Sequence, residues 1–118
     1  MIKLDNSIKI LVPQTDNDGN ALNFTPEIKA ITGIVGGATV YQAKGLWEHD
    51  NRLYTDSVSA VEFNYSDKLN TQAIVSITTL ITREFTYGKQ EAVSVYLDKT
   101  LYILESLVDV NDLKGLLK

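Results

Sequence analysis

Four side chains able to bind or react fall within nine residues: Lys44, Trp47, His49 and Arg52. Trp47 is the only tryptophan and His49 the only histidine. Arg83 lies in a later segment and could join them. A cation beside an aromatic face can hold a stacked, anionic small molecule, because ring quadrupole and charge act together. An imidazole can also move protons near neutral pH. His49, however, sits between Glu48 and Asp50 at a hairpin tip, where neighbouring strand residues point to opposite faces. A metal needs three or four converging ligands, so no metal site is assigned. Tyr41, Tyr54, Tyr65, Tyr87, Tyr96 and Tyr102 fall mostly on strands. Tyrosine and tryptophan combine apolar area with a polar handle, which suits either a contact surface or plain sheet packing.

Other constellations fail on spacing. Asp16-Asn17-Asp18-Gly19-Asn20 resembles a calcium loop, but Gly19 at the sixth position puts Gln14 first and Thr25 twelfth, where acids are required. Gly33, Gly36 and Gly37 lie at the C-terminal end of a helix and lead into a strand, so no helix N-terminus is offered to a phosphate. There is no G-x-S-x-G, Walker A or G-x-G-x-x-G motif, and no cofactor is expected. With no cysteine, thiolate metal sites, disulfides and cysteine nucleophiles are excluded together.

The 118 residues make one domain, with 44% hydrophobic and 22% charged side chains, as in ordinary globular chains. A net charge of -4 argues against general nucleic-acid binding, which rests on cationic neutralisation of phosphates. No apolar run reaches the ~18 residues of a membrane span, and Met1 to Asn6 does not read as a secretory signal. The expectation is a cytoplasmic protein without membrane contact.

The elements that must position these residues follow from pattern. Ile8, Ile10 and Val12 alternate, and Pro13 ends that strand. Thr25 as cap, Pro26 at the first helical position and Glu27 in the first turn open a helix, with Ile28, Ile31 and Val35 on one face and Gly36-Gly37 as its stop. A strand over 38–48 returns through Asp50-Asn51 into a strand over 53–65. Ser66 or Asp67 caps a second helix running to about Phe85, with Leu69, Ala73, Ile77, Leu80, Ile81 and Phe85 as its apolar stripe. Strands over 91–97 and 100–104 and a short helix over 108–117 complete the chain. The order β-α-β-β-α-β predicts an α+β, ferredoxin-like split βαβ: an antiparallel sheet with two helices on one face, plus a short C-terminal strand and helix. Apolar residues on both strand faces, Val58 and Ala60 against Val61 and Phe63, predict a homo-oligomer, with residues 106–118 as a packing or oligomerisation tail.

Gly37-Ala38-Thr39-Val40, Gly45-Leu46-Trp47, the polar turn to Leu53, and Phe85 with Gln90-Glu91-Ala92-Val93 resemble, in that order, an uncharacterised group of short bacterial and phage proteins. The resemblance covers Gly36 to Leu97. Tyr54-Thr55-Asp56 departs from the glutamate-rich strand start common in the group. It implies a ferredoxin-like fold and an association with phage or mobile elements, and no particular chemistry.

These readings favour a non-catalytic oligomeric binding protein. It would inhibit a host system by sequestering a nucleotide-like small anion or by covering a host protein's surface. Lys44, Trp47, His49, Arg52 and Arg83 would be its contacts. The alternative is a small cofactor-independent ferredoxin-like enzyme, an oxygenase or isomerase. Its pocket would lie between helices and sheet, with His49 or a tyrosine as acid–base group.

Overall fold

The computed structural model describes residues 1–118. In chain order the elements are β1 (Asn6–Pro13), α1 (Thr25–Val35), β2 (Thr39–His49), β3 (Arg52–Tyr65), α2 (Thr71–Thr86), β4 (Val93–Leu97), β5 (Thr100–Leu104) and α3 (Leu107–Leu117). They form one antiparallel sheet in the order β2-β3-β1-β4-β5. With β1 central and β5 added at the edge, this is the ferredoxin-like arrangement the pattern predicts.

One face of the sheet builds the core. Ile8, Ile10 and Val12 on β1, Val61 and Phe63 on β3 and Val95 on β4 are buried together with Ile31 of α1 and Ile77, Leu80 and Ile81 of α2. Each such side chain contributes about 1.5–3 kcal/mol when fully buried. The tail helix α3 adds Val110, Leu113 and Leu117 to this core. Side chains of the opposite face, among them Tyr41, Trp47, Leu101 and Ile103, are exposed, while Ala60 between them is buried.

Two helix starts differ from expectation. Helix α2 begins at Thr71, and the cap is Asn70, whose Oδ1 accepts from the Ala73 N–H at 2.8 Å. Ser66 and Asp67 belong instead to a turn with Asp67 at φ 60°, where the Asn6 side-chain amide donates to the Asp67 carbonyl. That turn drops Leu69 into the core. At α1, Thr25 is already helical, and the Asn23 side chain accepts from its N–H at 3.0 Å. Phe24 is buried before it, edge-on to Tyr87 at 5.4 Å, and this packing sets where the chain enters the helix.

The strands are unequal in length, and that inequality makes the site. β3 pairs with β1 only from Val58 to Tyr65, whereas β2 accompanies β3 out to the pair His49 and Arg52. Residues 44–57 therefore project as a two-stranded arm. At ~3.3 Å per residue the 14 residues of β3 span roughly 46 Å, in line with the molecule's 47 Å long axis. Asp50 and Asn51 turn the arm with φ of 53° and 62°, the left-handed pair of a tight hairpin.

Candidate functional site

β4 pairs with β1 only from Val95 to Leu97, and β1 ends at Pro13. Beyond those points the sheet opens into a notch, with the arm on one side and the start of β4 on the other. The resulting cleft holds about 760 Å³. Leu11 and Pro13 form one part of its wall, and Gln14 to Asn17 continue it. Trp47 and Asp56 come from the arm, Ser94 from β4, Ile103 from β5 and Glu84 from the last turns of α2.

Glu84 is the unusual residue. It is 1% exposed, and its Oε2 has no hydrogen-bond partner. Burial pushes its carboxyl well above the ordinary range, because a charge there loses its hydration. The chain around it is closely fitted. The Glu84 carbonyl accepts from the Gln90 N–H at 3.0 Å, and the Gln90 side-chain amide donates to the Gly88 carbonyl at 2.9 Å. Gly88 packs against the Glu84 backbone so tightly that a Cβ would meet the Glu84 carbonyl oxygen at 2.6 Å.

Trp47 stacks on Tyr54 across the arm, with ring centroids 4.4 Å apart, and its indole N–H donates to Asp56 at 3.0 Å. At the other rim, Asp16 accepts from the Asp18 and Asn20 backbone N–H groups and from the Asn20 side-chain amide. The Asn20 bonds hold its carboxyl below the usual range. Asp16, Asp56 and Glu84 line the cleft, and no lysine, arginine or histidine does. No group of three or more of the chain's acids and its histidine converges as metal donors would. Chemically the cleft offers negative charge, an aromatic ring and one buried carboxyl. That set fits an organic cation and leaves a nucleotide-like anion without a partner.

The five residues singled out by sequence do not meet at one place. Trp47 lines the cleft. Lys44 lies on the exposed arm, and His49 and Arg52 face each other at its tip. His49 is 3.3 Å from its neighbour Asp50, both well exposed. Arg52 lies 5.7 Å from the Tyr54 ring centre. Arg83 points away from the cleft: its Nε donates to Glu27 at 3.2 Å, and its guanidinium lies 4.4 Å from the Tyr87 ring centre, tying α2 to the first turn of α1.

Sequence reasoning passed over Glu84. The signal was present, since Glu84 follows Ile77, Leu80 and Ile81 at seven, four and three residues and so shares their helix face. An acid on an apolar stripe is either paired or costly, and here it is unpaired.

No protein-family model matches the chain, and no curated protein matches it. Two solved structures do. One is a phage SAM lyase in complex with S-methyl-5'-thioadenosine, at 16% identity, TM-score 0.57, covering 90% of this chain and 94% of that one. The other is a phage SAM lyase in the apo state, at 18% identity, TM-score 0.57, covering 90% and 95%. The likeness is one of fold. Both matched structures are of an enzyme, and this corrects the expectation of a non-catalytic binding protein and the lean away from enzymatic activity. The physical reason is in the cleft: a buried, unpaired carboxyl is a cost that a purely structural domain would avoid, and Glu84 belongs to no sequence motif. Of the two readings, the small enzyme on a ferredoxin-like fold fits better. Its pocket, however, is a notch at the sheet's end, not a cavity enclosing His49. No helix of the chain is long and apolar enough to cross a membrane.

Proposed function

We propose that this protein is a small lyase acting on an adenosyl sulfonium, with S-adenosylmethionine as the type substrate. The observation that carries the reading is Glu84, a buried carboxyl with a free oxygen in a cleft that no basic side chain lines. S-adenosylmethionine brings a sulfonium and an ammonium to such a site. The fold shared with a phage SAM lyase supports the substrate class. On this reading the reaction class is a lyase, in place of the oxygenase or isomerase that the sequence offered as its alternative, and the chain is a phage protein working in the host cytoplasm.

The bond that breaks joins the sulfonium to the amino-acid side chain. Sulfur keeps the bonding pair and leaves as a neutral thioether, and the substrate's own carboxylate oxygen bonds to the vacated carbon, closing a five-membered ring. Atoms and charge balance without water, oxidant or reductant. Glu84 holds the amino-acid end: as the ammonium arrives, the buried carboxyl releases its proton to solvent through the open cleft, and the resulting carboxylate accepts hydrogen bonds from the ammonium. Ring closure depends on holding carboxylate and carbon in line, and such positioning is where a rigid site gains most.

The test is direct. Purified protein incubated with S-adenosylmethionine is expected to release S-methyl-5'-thioadenosine in step with substrate loss, followed by liquid chromatography and mass spectrometry. Thioether formation no faster than the protein-free control rejects the reading.

The same reading takes the protein as a homo-oligomer. A two-stranded hairpin is marginal by itself, yet the arm projects with Leu46 64% and Leu53 68% exposed. A second copy packed along the arm would cover them and close the open side of the cleft. Light scattering at micromolar concentration should report a multiple of 13.1 kDa, and a stable monomer of that mass would remove the oligomer.

A further inference from the structure

We propose that the cleft selects its ligand by the charge on sulfur, with Asp56, Asp16 and Trp47 as the residues that set this selectivity. The inference rests on the lyase reading and deepens it: the site binds the sulfonium and releases the thioether because the two differ by one positive charge.

The geometry of the rim is built for a cation. Trp47 has one face on Tyr54 and remains 48% exposed. Its N–H donates to one oxygen of Asp56, so the carboxylate fixes the ring's orientation and its second oxygen stays free. An indole donating to a carboxylate is richer in electrons, which strengthens its attraction for a cation. Gly45 lies opposite Asp56 in the strand register, and a Cβ there would meet only the Asp56 Cβ, at 3.9 Å, so position 45 itself puts no side chain over that carboxylate. Across the notch, three donors hold the Asp16 carboxylate in one orientation. Lys89 is the cation whose field reaches Asp16. Lys89 is exposed, and solvent ions screen it over a Debye length of about 10 Å. Acids at a rim do not by themselves make a site. Here Glu84 supplies the independent sign of a ligand, since it is 1% exposed in the same cleft with an oxygen that nothing in the chain satisfies.

A consequence follows for turnover. Cleavage turns the sulfonium into a neutral thioether, so the attraction from Asp56, Asp16 and Trp47 is lost at the moment of reaction and the product leaves an acidic cleft that no longer holds it. A cleft that recognised only the adenosine half would retain that product.

Titration calorimetry with two stable ligands tests this. Sinefungin carries an ammonium where the sulfonium stands, and S-adenosylhomocysteine carries a neutral sulfur there, while both keep the same amino-acid end for Glu84. Sinefungin should bind about tenfold or more tightly, a factor worth about 1.4 kcal/mol. That advantage should shrink as salt is raised from 50 to 500 mM, since screening weakens exposed charge pairs. Asp56→Asn and Asp16→Asn should each weaken sinefungin about threefold or more and leave S-adenosylhomocysteine nearly unchanged, because removing a charge removes only the charge-dependent part. Equal affinity of the two ligands, or an advantage untouched by salt and by both substitutions, overturns the selectivity. If S-methyl-5'-thioadenosine still forms in that case, the lyase reading survives without it. Absence of binding by either ligand, together with absence of thioether from S-adenosylmethionine, removes both.

Discussion

Glu84→Gln should lower kcat/KM for thioether release by about a hundredfold or more, while making the folded protein more stable at neutral pH. The activity falls because an amide keeps the shape of the carboxyl but cannot take on the charge that pairs with the substrate's ammonium. The stability rises for a linked reason. Burial holds the Glu84 carboxyl well above its ordinary value of 4.5, so the folded protein keeps a proton that the unfolded chain releases. Stability that a protonated Glu84 retains below about pH 4.5 is lost as pH rises through its folded-state value. Each unit of separation between the two states is worth about 1.4 kcal/mol. Melting curves of wild type and Glu84→Gln should therefore coincide near pH 4 and diverge as pH is raised, with the wild type falling below the variant. Asp16 acts in the opposite sense and in a lower window. Its lowered carboxyl favours folding above its ordinary value of 3.8 and loses that contribution only below it, so the two effects separate on the pH axis. A variant as active as wild type, or a melting difference that ignores pH, would remove Glu84 from the site.

Gly88→Ala should lose both stability and activity. A Cβ there would sit 2.6 Å from the Glu84 carbonyl oxygen, 3.2 Å from the Glu84 Cα and 3.2 Å from the end of the Phe24 ring. Backbone atoms cannot swing aside as a flexible side chain would, so either the last turn of α2 shifts or the chain after it does. Overpacking of this kind typically costs ~1–3 kcal/mol, a drop of several degrees in melting temperature for a domain this size. Because the displaced atoms belong to Glu84, kcat/KM measured well below the melting point should fall too. Gly33→Ala and Gly115→Ala are the controls. Both lie within helices with nothing near the added carbon, and each should stabilise by ~0.4–1 kcal/mol with the activity intact. If Gly88→Ala behaves like the controls, the close fit around Glu84 does not hold.

The fold was largely legible in the chain. Alternation placed Ile8, Ile10 and Val12 on the buried face of β1, and Asp50-Asn51 marked a turn that takes left-handed backbone angles. The stripe Leu69, Ala73, Ile77, Leu80 and Ile81 identified α2 despite its β-branched residues, since tertiary burial outweighs weak intrinsic propensity. Caps were read less well, because Ser66, Asp67 and Asn70 can all accept a backbone N–H. The choice of Asn70 depends on the Asn6 contact with the Asp67 carbonyl, made across 61 residues.

The site was decided by tertiary structure. Local pattern fixes which residues alternate or recur, and so which face each side chain takes. It carries no information on where paired strands stop relative to one another. The notch exists because β1 ends at Pro13 while β2 and β3 run on together, and because β4 leaves β1 at Val95. Those end points bring Trp47, Asp56 and Asp16 to the same opening as Glu84, although they come from four separate segments. Sequence proximity instead grouped Lys44, His49 and Arg52 with Trp47; the arm's register carries His49 and Arg52 to its tip, and leaves Lys44 beside the cleft residues Gly45 and Ser57 without lining the cleft. Charge at the site followed the same rule. A sum of charges over the chain gives -4 but no position, and only the packing of α2 against the sheet leaves one carboxyl buried, unpaired and facing a cleft without a cation.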